Sequence, residues 1–585
     1  MRTGPAVKVL TLSILGLLII PGFLPVGTRV DDQPMMASYN PAPANNFHAP
    51  LSSVALVALT NATPVLPTSA SPSASPNNPS SLKTIQQNSL RFITDNSYFP
   101  QSETTIAVDP NNSSHVVGGF NDPKYFFCPF LPSDCAGTIP ASLSGFTVST
   151  DGGKSVTKSG SIPNVNATGQ ILTAWGDPSV AASVDGNFFY ASLAIVAGFG
   201  IFGNGIMIAK SNSNLFDSSA SCATLISDRA SNPCWNAMFV NGTSRFPAFN
   251  FEDKDRIAVD RSPSSPYYGS VYVAWDHFYP PGRSQTYLAR CDNNLVKCAM
   301  LSGGDKPVVS GDDMFVSWTT PVVDRNGNVY LSWCNFGTWT TLGPVSCRVS
   351  MSPPGGTAFG PVSNILSYMG AGTTLPSATI VIGWATEQYR SAPGLISLAA
   401  DLSGKSNNLY FTTQVCTSGH YYNFPSSFIF FAADNPGNCG LSSVVLTRSS
   451  DNGSTWSSPV VLSDPAVNDQ PFVTVDSQTG SLYVVYYSTR YDQFNHRIDV
   501  VASVSSNAGQ IFHRQRVTSV SSEPNSDPEM YFYLSQFGGS FVVPQYGDYF
   551  EATAMGGRLW ALFTGNYQVE AGTFQTDPFL AVVTA

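Results

Sequence analysis

Six times along this chain, a short run of β-forming residues ends in Asp, a turn follows, and a second run carries an aromatic residue. The segments are TTIAVDPNNSSHVVGGFND with Asp109, PSVAASVDGNFFYASL with Asp185, and DRIAVDRSPSSPYYGSVYVAWD with Asp260. TTPVVDRNGNVYLSW with Asp324, LISLAADLSGKSNNLYFTT with Asp401, and QPFVTVDSQTGSLYVVYY with Asp476 complete the set. The steps between these Asp residues are 76, 75, 64, 77 and 75 residues. A seventh unit, DYFEATAMGGRLWALFTGN, keeps the aromatic but has Met555 in the Asp position. Such a period leaves room for four short strands per unit and exceeds the 20–50 residues typical of solenoids. The Asp is a turn-former, because its carboxylate accepts a backbone N–H two residues on. A second hairpin follows in each unit, as in GFTVSTDGGKSVTKSGSI, SVVLTRSSDNGSTWSSPVVL and DVVASVSSNAGQIFHRQRV.

Four antiparallel strands repeated radially make a β-propeller. The expectation is an all-β fold of seven four-stranded antiparallel blades, with six as the alternative. Unit seven is one strand short, and Ser89–Thr94 (SLRFIT) can supply it, which would close the ring by pairing the two ends of the chain. Tyr190, Tyr272, Tyr330, Tyr410, Tyr483 and Trp560 recur on the second strand and read as core. The 48 Gly and 43 Pro suit many short strands joined by turns.

The stretch SSDNGSTW carries a family resemblance. Ser449, Asp451, Gly453, Thr455 and Trp456 match the S-x-D-x-G-x-T-W pattern of the bacterial neuraminidase repeat, or Asp box. Ser149, Asp151 and Gly153 begin a second copy that lacks the final aromatic, and Ser505–Phe512 is a weaker one with Asn507 in the Asp position. The chain therefore resembles the sialidase-like Asp-box β-propellers. The resemblance implies a propeller over residues 89–585 with each box in the turn between the third and fourth strands. There the Asp meets backbone donors, the Gly permits φ > 0, and the Trp packs into the blade. The boxes thus read as structural and mark the face away from any chemistry.

Chemistry is expected at the opposite end, where the first strand of each blade starts and the second ends around a central funnel. Residues placed there are Glu103, Asp122, Asp177, Asp253, Asp255, Arg256, Asp276, Asp469, Arg490, Asp548, Tyr549 and Glu551. Carboxylate pairs can break glycosidic bonds when one is protonated and the other charged. A sialidase-like enzyme also needs clustered Arg for its substrate's carboxylate and a Tyr nucleophile with a neighbouring base. The family's first Arg lies in an F-R-I-P motif; none occurs here, and the matching FPQSETTIAVD has no Arg. The catalytic candidates are Tyr549, Glu551, Asp548, Asp253, Asp276 and Asp469. The substrate-binding candidates are Arg256, Arg490, Arg390 and Asp177. His277, in a loop facing the funnel, is a further polar candidate. Two functions stay open: a glycoside hydrolase acting on extracellular glycans, and a non-catalytic propeller that binds glycan or protein. No cofactor is expected; Ca²⁺ in a ring of oxygens is the alternative, although no complete calcium loop is present.

Arg2 and Lys8 precede the apolar run Val9–Ile20, which Pro21-Gly22 ends, so residues 1–25 read as a secretory signal or an uncleaved anchor. Residues 26–88 read as a disordered Ser/Pro/Asn-rich linker. The apolar stretch Phe188–Ala209 falls in register with the repeat and reads as a hairpin rather than a membrane span. Ten Cys fall as five close pairs: Cys128 with Cys135, Cys222 with Cys234, Cys291 with Cys298, Cys334 with Cys347, and Cys416 with Cys439. An even number in an exported chain favours disulfides. A net charge of −10 with no basic patch excludes nucleic acid as a partner. The expected protein is a secreted monomer, tethered to a membrane only if the N-terminal segment stays uncleaved.

Overall fold

The computed structural model describes residues 88–94, 101–122, 142–167, 169–195, 204–223, 230–243, 250–279, 283–313, 315–338, 341–368, 395–418, 441–492, 497–522, 531–534, 539–542, 546–570 and 573–584. The expected signal, nearly all of the linker, and Arg390 lie outside these residues.

Seven antiparallel sheets follow one another along the chain, each led by a strand that lies innermost. The leading strands of the first six blades are Ser102–Asp109, Ser179–Ala182, Phe251–Val259, Val316–Val323, Ile396–Ala400 and Asn468–Val475. Blade 7 runs Glu551–Met555, Arg558–Glu570 and Thr573–Thr584, and its outer strand is Leu90–Arg91 from the other end of the chain. Leu90 pairs Leu580 and Arg91 pairs Phe579, and the Arg91 guanidinium is bonded to Asp577 at 2.7 Å. The ring is thus a seven-bladed propeller closed by its two ends. Blade 2 carries an extra hairpin, Val165–Ala167 and Gln170–Ala174, which joins at Thr173↔Ile195. Phe188–Ile195 and Asn204–Ser211 pair antiparallel from Asn204↔Ile195, so the long apolar stretch forms two strands of that blade.

The sequence repeat acts as the expected turn code. Asp109, Asp185, Asp260, Asp324, Asp401 and Asp476 each accept the N–H of the residue two positions on, at 2.8 to 3.1 Å. Tyr190, Tyr272, Tyr330, Tyr410, Tyr483 and Trp560 are all buried. In the box, Ser449 Oγ takes the Gly453 N–H at 2.9 Å, and Asp451 takes the Thr455 N–H and hydroxyl. Trp456 returns its indole N–H to the Gly453 carbonyl and sits edge-on to Phe411. The copies at Ser149–Ser155 and Ser505–Ile511 repeat the Ser–Gly bond and the backbone N–H bond to the third residue, with Asn507 replacing the carboxylate.

Three of the five expected disulfides are formed: Cys222–Cys234, Cys291–Cys298 and Cys334–Cys347, each inside one blade. The other two expected bridges are not among them. Cys128 and Cys135 both lie outside the described residues, and so does Cys439, the expected partner of Cys416. Among the described residues no helix is long and apolar enough to cross a membrane.

Candidate functional site

The leading strands share a local irregularity at their axial ends. In blade 1 the pairing jumps from Ser102↔Asn121 to Thr105↔Gly119, leaving one extra residue on the inner strand. The same jump occurs at Asp253/Arg256, Ser317/Thr320 and Asp469/Phe472. These are β-bulges, which bend a strand and re-aim its side chains. The bulged residue has positive φ although it is not Gly: Glu103 at 53°, Lys254 at 60°, Trp318 at 65° and Gln470 at 49°. Asp177, just before the blade 2 strand, has φ 53°. Left-handed backbone costs an ordinary residue roughly 1–2 kcal/mol, so packing and hydrogen bonds around the axis must hold it. Asp253 and Asp469 do part of this, each accepting the N–H of the bulged residue that follows it.

The bulges turn large polar side chains into one buried cluster. Lys254 reaches from blade 3 to Asp548, with Nζ 2.5 Å from Oδ2, and lies over the Trp318 ring at 4.8 Å. Burial alone would lower the Lys254 ammonium, but Asp548, then Asp253, Asp177 and Glu103, outweigh it and hold it above the usual lysine range. Arg256 pairs with Glu551, stacks on Tyr549 at 3.8 Å, and leaves Glu551 to accept the Thr105 hydroxyl as well. Burial raises the Glu551 carboxyl despite that guanidinium. Gly547, at φ 78°, lets the chain pass beside Glu103: a Cβ there would lie 2.2 Å from Glu103 Cγ.

Glu103 and Asp177 come from neighbouring blades and share one partner. Asn121 donates to Glu103 at 2.7 Å and accepts the Asp177 N–H at 2.9 Å. The Asp548 N–H also meets Glu103. No hydrogen-bond donor reaches either Asp177 side-chain oxygen. Burial first, then Glu103 and Asp253, push the Asp177 carboxyl well above the usual range, with Lys254 opposing them. Asp255 is likewise fully buried with both oxygens unbonded, and burial raises it against the pull of Arg256.

Eleven of the twelve residues expected around the funnel are in fact buried: Glu103, Asp122, Asp177, Asp253, Asp255, Asp276, Asp469 and Asp548 at no more than 1% exposure, and Tyr549, Glu551 and Arg256 at no more than 7%. Arg490 does not join them; its side chain is half exposed and faces Asp464 at 3.4 Å. Arg256 is paired with Glu551, whereas Arg490 and Arg514 meet at Asp464, away from it. Tyr549 donates its hydroxyl to the Pro178 carbonyl at 2.8 Å. Burial, Glu103 and Asp177 push its phenol well above 10, opposite to what a nucleophilic phenolate requires. Asp276 ties blade 3 to blade 4, accepting from Ser317 Oγ, the Trp318 and Thr319 N–H groups and Thr319 Oγ1. No set of three His, Cys, Asp or Glu side chains among the described residues is disposed to hold a metal ion.

Lys254 was not among the residues expected here. Counting six residues back from the turn Asp would have found it, since Glu103, Lys254, Trp318 and Gln470 all stand at that offset.

No protein-family model matches the chain, and no curated protein does. Among solved structures it is similar to a protein of unknown function from Dyadobacter fermentans, at 9% identity over 86% of this chain and 100% of that one, with a TM-score of 0.37. A Hadza microbial sialidase shares 13% identity over 66% of this chain and 63% of its own, also at 0.37. The α-L-arabinofuranosidase of Fusarium graminearum shares 8% over 70% and 92%, again at 0.37. Likeness at this level bears on neither activity nor substrate, and what describes this chain is its own fold: a seven-bladed all-β propeller.

Proposed function

We propose that the protein is a carbohydrate-active propeller that breaks a glycosidic bond at the axial carboxyl cluster. One observation carries this reading: Glu103 and Asp177 sit together in surroundings that differ. Two amide donors meet Glu103, whereas no donor reaches the oxygens of Asp177. Unlike environments that separate two carboxyls are how one fold supplies both an acid and a base. Asp177 would give its proton to the leaving sugar oxygen, and a carboxylate of the cluster would serve the opposite face of the ring. With Arg256 held by Glu551, the cluster suits neutral sugars better than sialosides. The N-terminal signal pattern and the three disulfides support action outside the cytoplasm.

Release of a fluorophore from a panel of aryl glycosides, sialoside included, tests this directly. The expected result is turnover of a neutral glycoside that D177N lowers about 10²–10⁴-fold. A second reading, a non-catalytic propeller that binds glycan or protein, is favoured by the burial of the same cluster and its links between blades. Retained glycan binding with no release from any member of the panel would establish that reading instead.

A further inference from the structure

A second group of buried polar side chains lies at the seam of blades 2 and 3. Glu252 and His277 face each other across the first two strands of blade 3, one register position beyond Asp253↔Asp276. They therefore stand at the same end of the blade as the axial cluster. His277 Nδ1 is 2.7 Å from Glu252 Oε1, and Trp275 donates its indole N–H to the other oxygen at 2.6 Å. Asn204 of blade 2 clamps the Glu252 backbone from both sides, donating to its carbonyl at 2.8 Å and accepting its N–H at 3.1 Å. Tyr287 stacks flat on the imidazole at 4.5 Å, and Tyr279 meets it edge-on at 4.2 Å. The two Tyr hydroxyls are bonded to each other at 2.8 Å.

These contacts assign a tautomer. The indole N–H can only donate, so Glu252 Oε2 accepts it, and Oε1 is placed to accept an imidazole N–H at Nδ1. The lone pair is then left on Nε2, and among the described residues nothing donates to it. His277 has one nitrogen fixed by a carboxylate, that carboxylate fixed by a Trp and an Asn, and its ring held between two Tyr.

We propose that Glu252 and His277 form a proton-transfer dyad, in which His277 Nε2 accepts the proton of a sugar hydroxyl or of a water bound beside it. The assignment of a sugar or its attacking water rests on the carbohydrate reading above; the dyad itself does not. The O–H bond breaks, its electron pair stays on oxygen, and the proton forms an N–H bond at Nε2. The resulting imidazolium is stabilised by Glu252 through Nδ1–H, and the proton returns to an oxygen when the ligand leaves. His277 is then the group that touches the ligand, while Glu252 and Trp275 are positioning residues.

Diethyl pyrocarbonate labelling of the whole folded protein, read by peptide mass spectrometry, tests the dyad without a substrate. The expected result is carbethoxylation of His277, slowed at least about 10-fold in E252Q while exposed His513 is unaffected. Equal His277 labelling in wild type and E252Q, or none in either, overturns the dyad. On a glycoside that the enzyme turns over, H277N is expected to lower kcat about 10²–10⁴-fold with KM nearly unchanged. Unchanged kcat overturns its role toward the sugar. If labelling depends on Glu252 but no glycan is bound or cleaved, the carbohydrate reading fails and the dyad stands.

Discussion

Asp276 offers a quantitative test, because two opposing forces meet on one carboxyl. Four donors from blade 4 favour its charged form, and complete burial opposes it. Burial prevails and raises the carboxyl to about 7, against the hydrogen bonds from Thr319, Ser317 and the Trp318 backbone. A group whose folded-state pKa lies above its unfolded value binds its proton more tightly when folded. Its stabilisation is therefore complete below about pH 4 and is lost as pH rises through 7. From 3.8 to about 7 is roughly three pH units, and at 1.36 kcal/mol each the loss is about 4 kcal/mol. D276N removes the titration. Its amide also faces N–H groups with its own donors, which costs about 1–3 kcal/mol for each acceptor lost. Urea unfolding of wild type and D276N at intervals from pH 4 to 8 reads both effects. The variant is expected to be the less stable at pH 4, with the difference shrinking by about 4 kcal/mol by pH 8. A constant difference across that range would refute the reasoning and show that the four donors keep Asp276 ionised throughout.

Two further perturbations probe the same core. R256M strands Glu551 in a buried site and is expected to cost about 3–5 kcal/mol; R256M/E551Q should recover much of it, measured by denaturant midpoint. G547A forces a side chain into φ 78° and against Glu103; it should lower the thermal midpoint and reduce glycan turnover together, checked by scanning calorimetry alongside the glycoside assay.

The architecture was readable because each device is local. Asp109 and its five counterparts bond two residues ahead, and Ser449 to Trp456 close on themselves, so short motifs report them. Closure was readable because SLRFIT supplies the one strand that the last unit lacks. The axial cluster followed other rules. Glu103, Lys254, Trp318 and Gln470 occupy a backbone conformation that sequence would assign to Gly, and neighbours 294 residues away fix where Lys254 points. Strand position alone put these carboxylates around the axis; the bulges and the Lys254–Asp548 pair that arrange them there depend on distant strands. Asp276 shows the same limit from another side. It was placed among the catalytic candidates by strand position alone, and only the next blade's Ser317–Thr319 reveals it as a tie between blades.

Joining Leu90–Arg91 to Thr573–Thr584 has a consequence for the order of synthesis. Blade 7 stays incomplete until the last strand has left the ribosome, nearly five hundred residues after its outer strand did. At about 5–20 residues per second this interval is roughly half a minute to a minute and a half. Through it, Leu90 and Arg91 have no edge to pair with, and for most of it Lys254 lacks Asp548, which follows it by 294 residues. Six blades can gather in turn as they emerge, but the circle closes only with the last strand. Loss of the final dozen residues would therefore undo both ends of the chain at once.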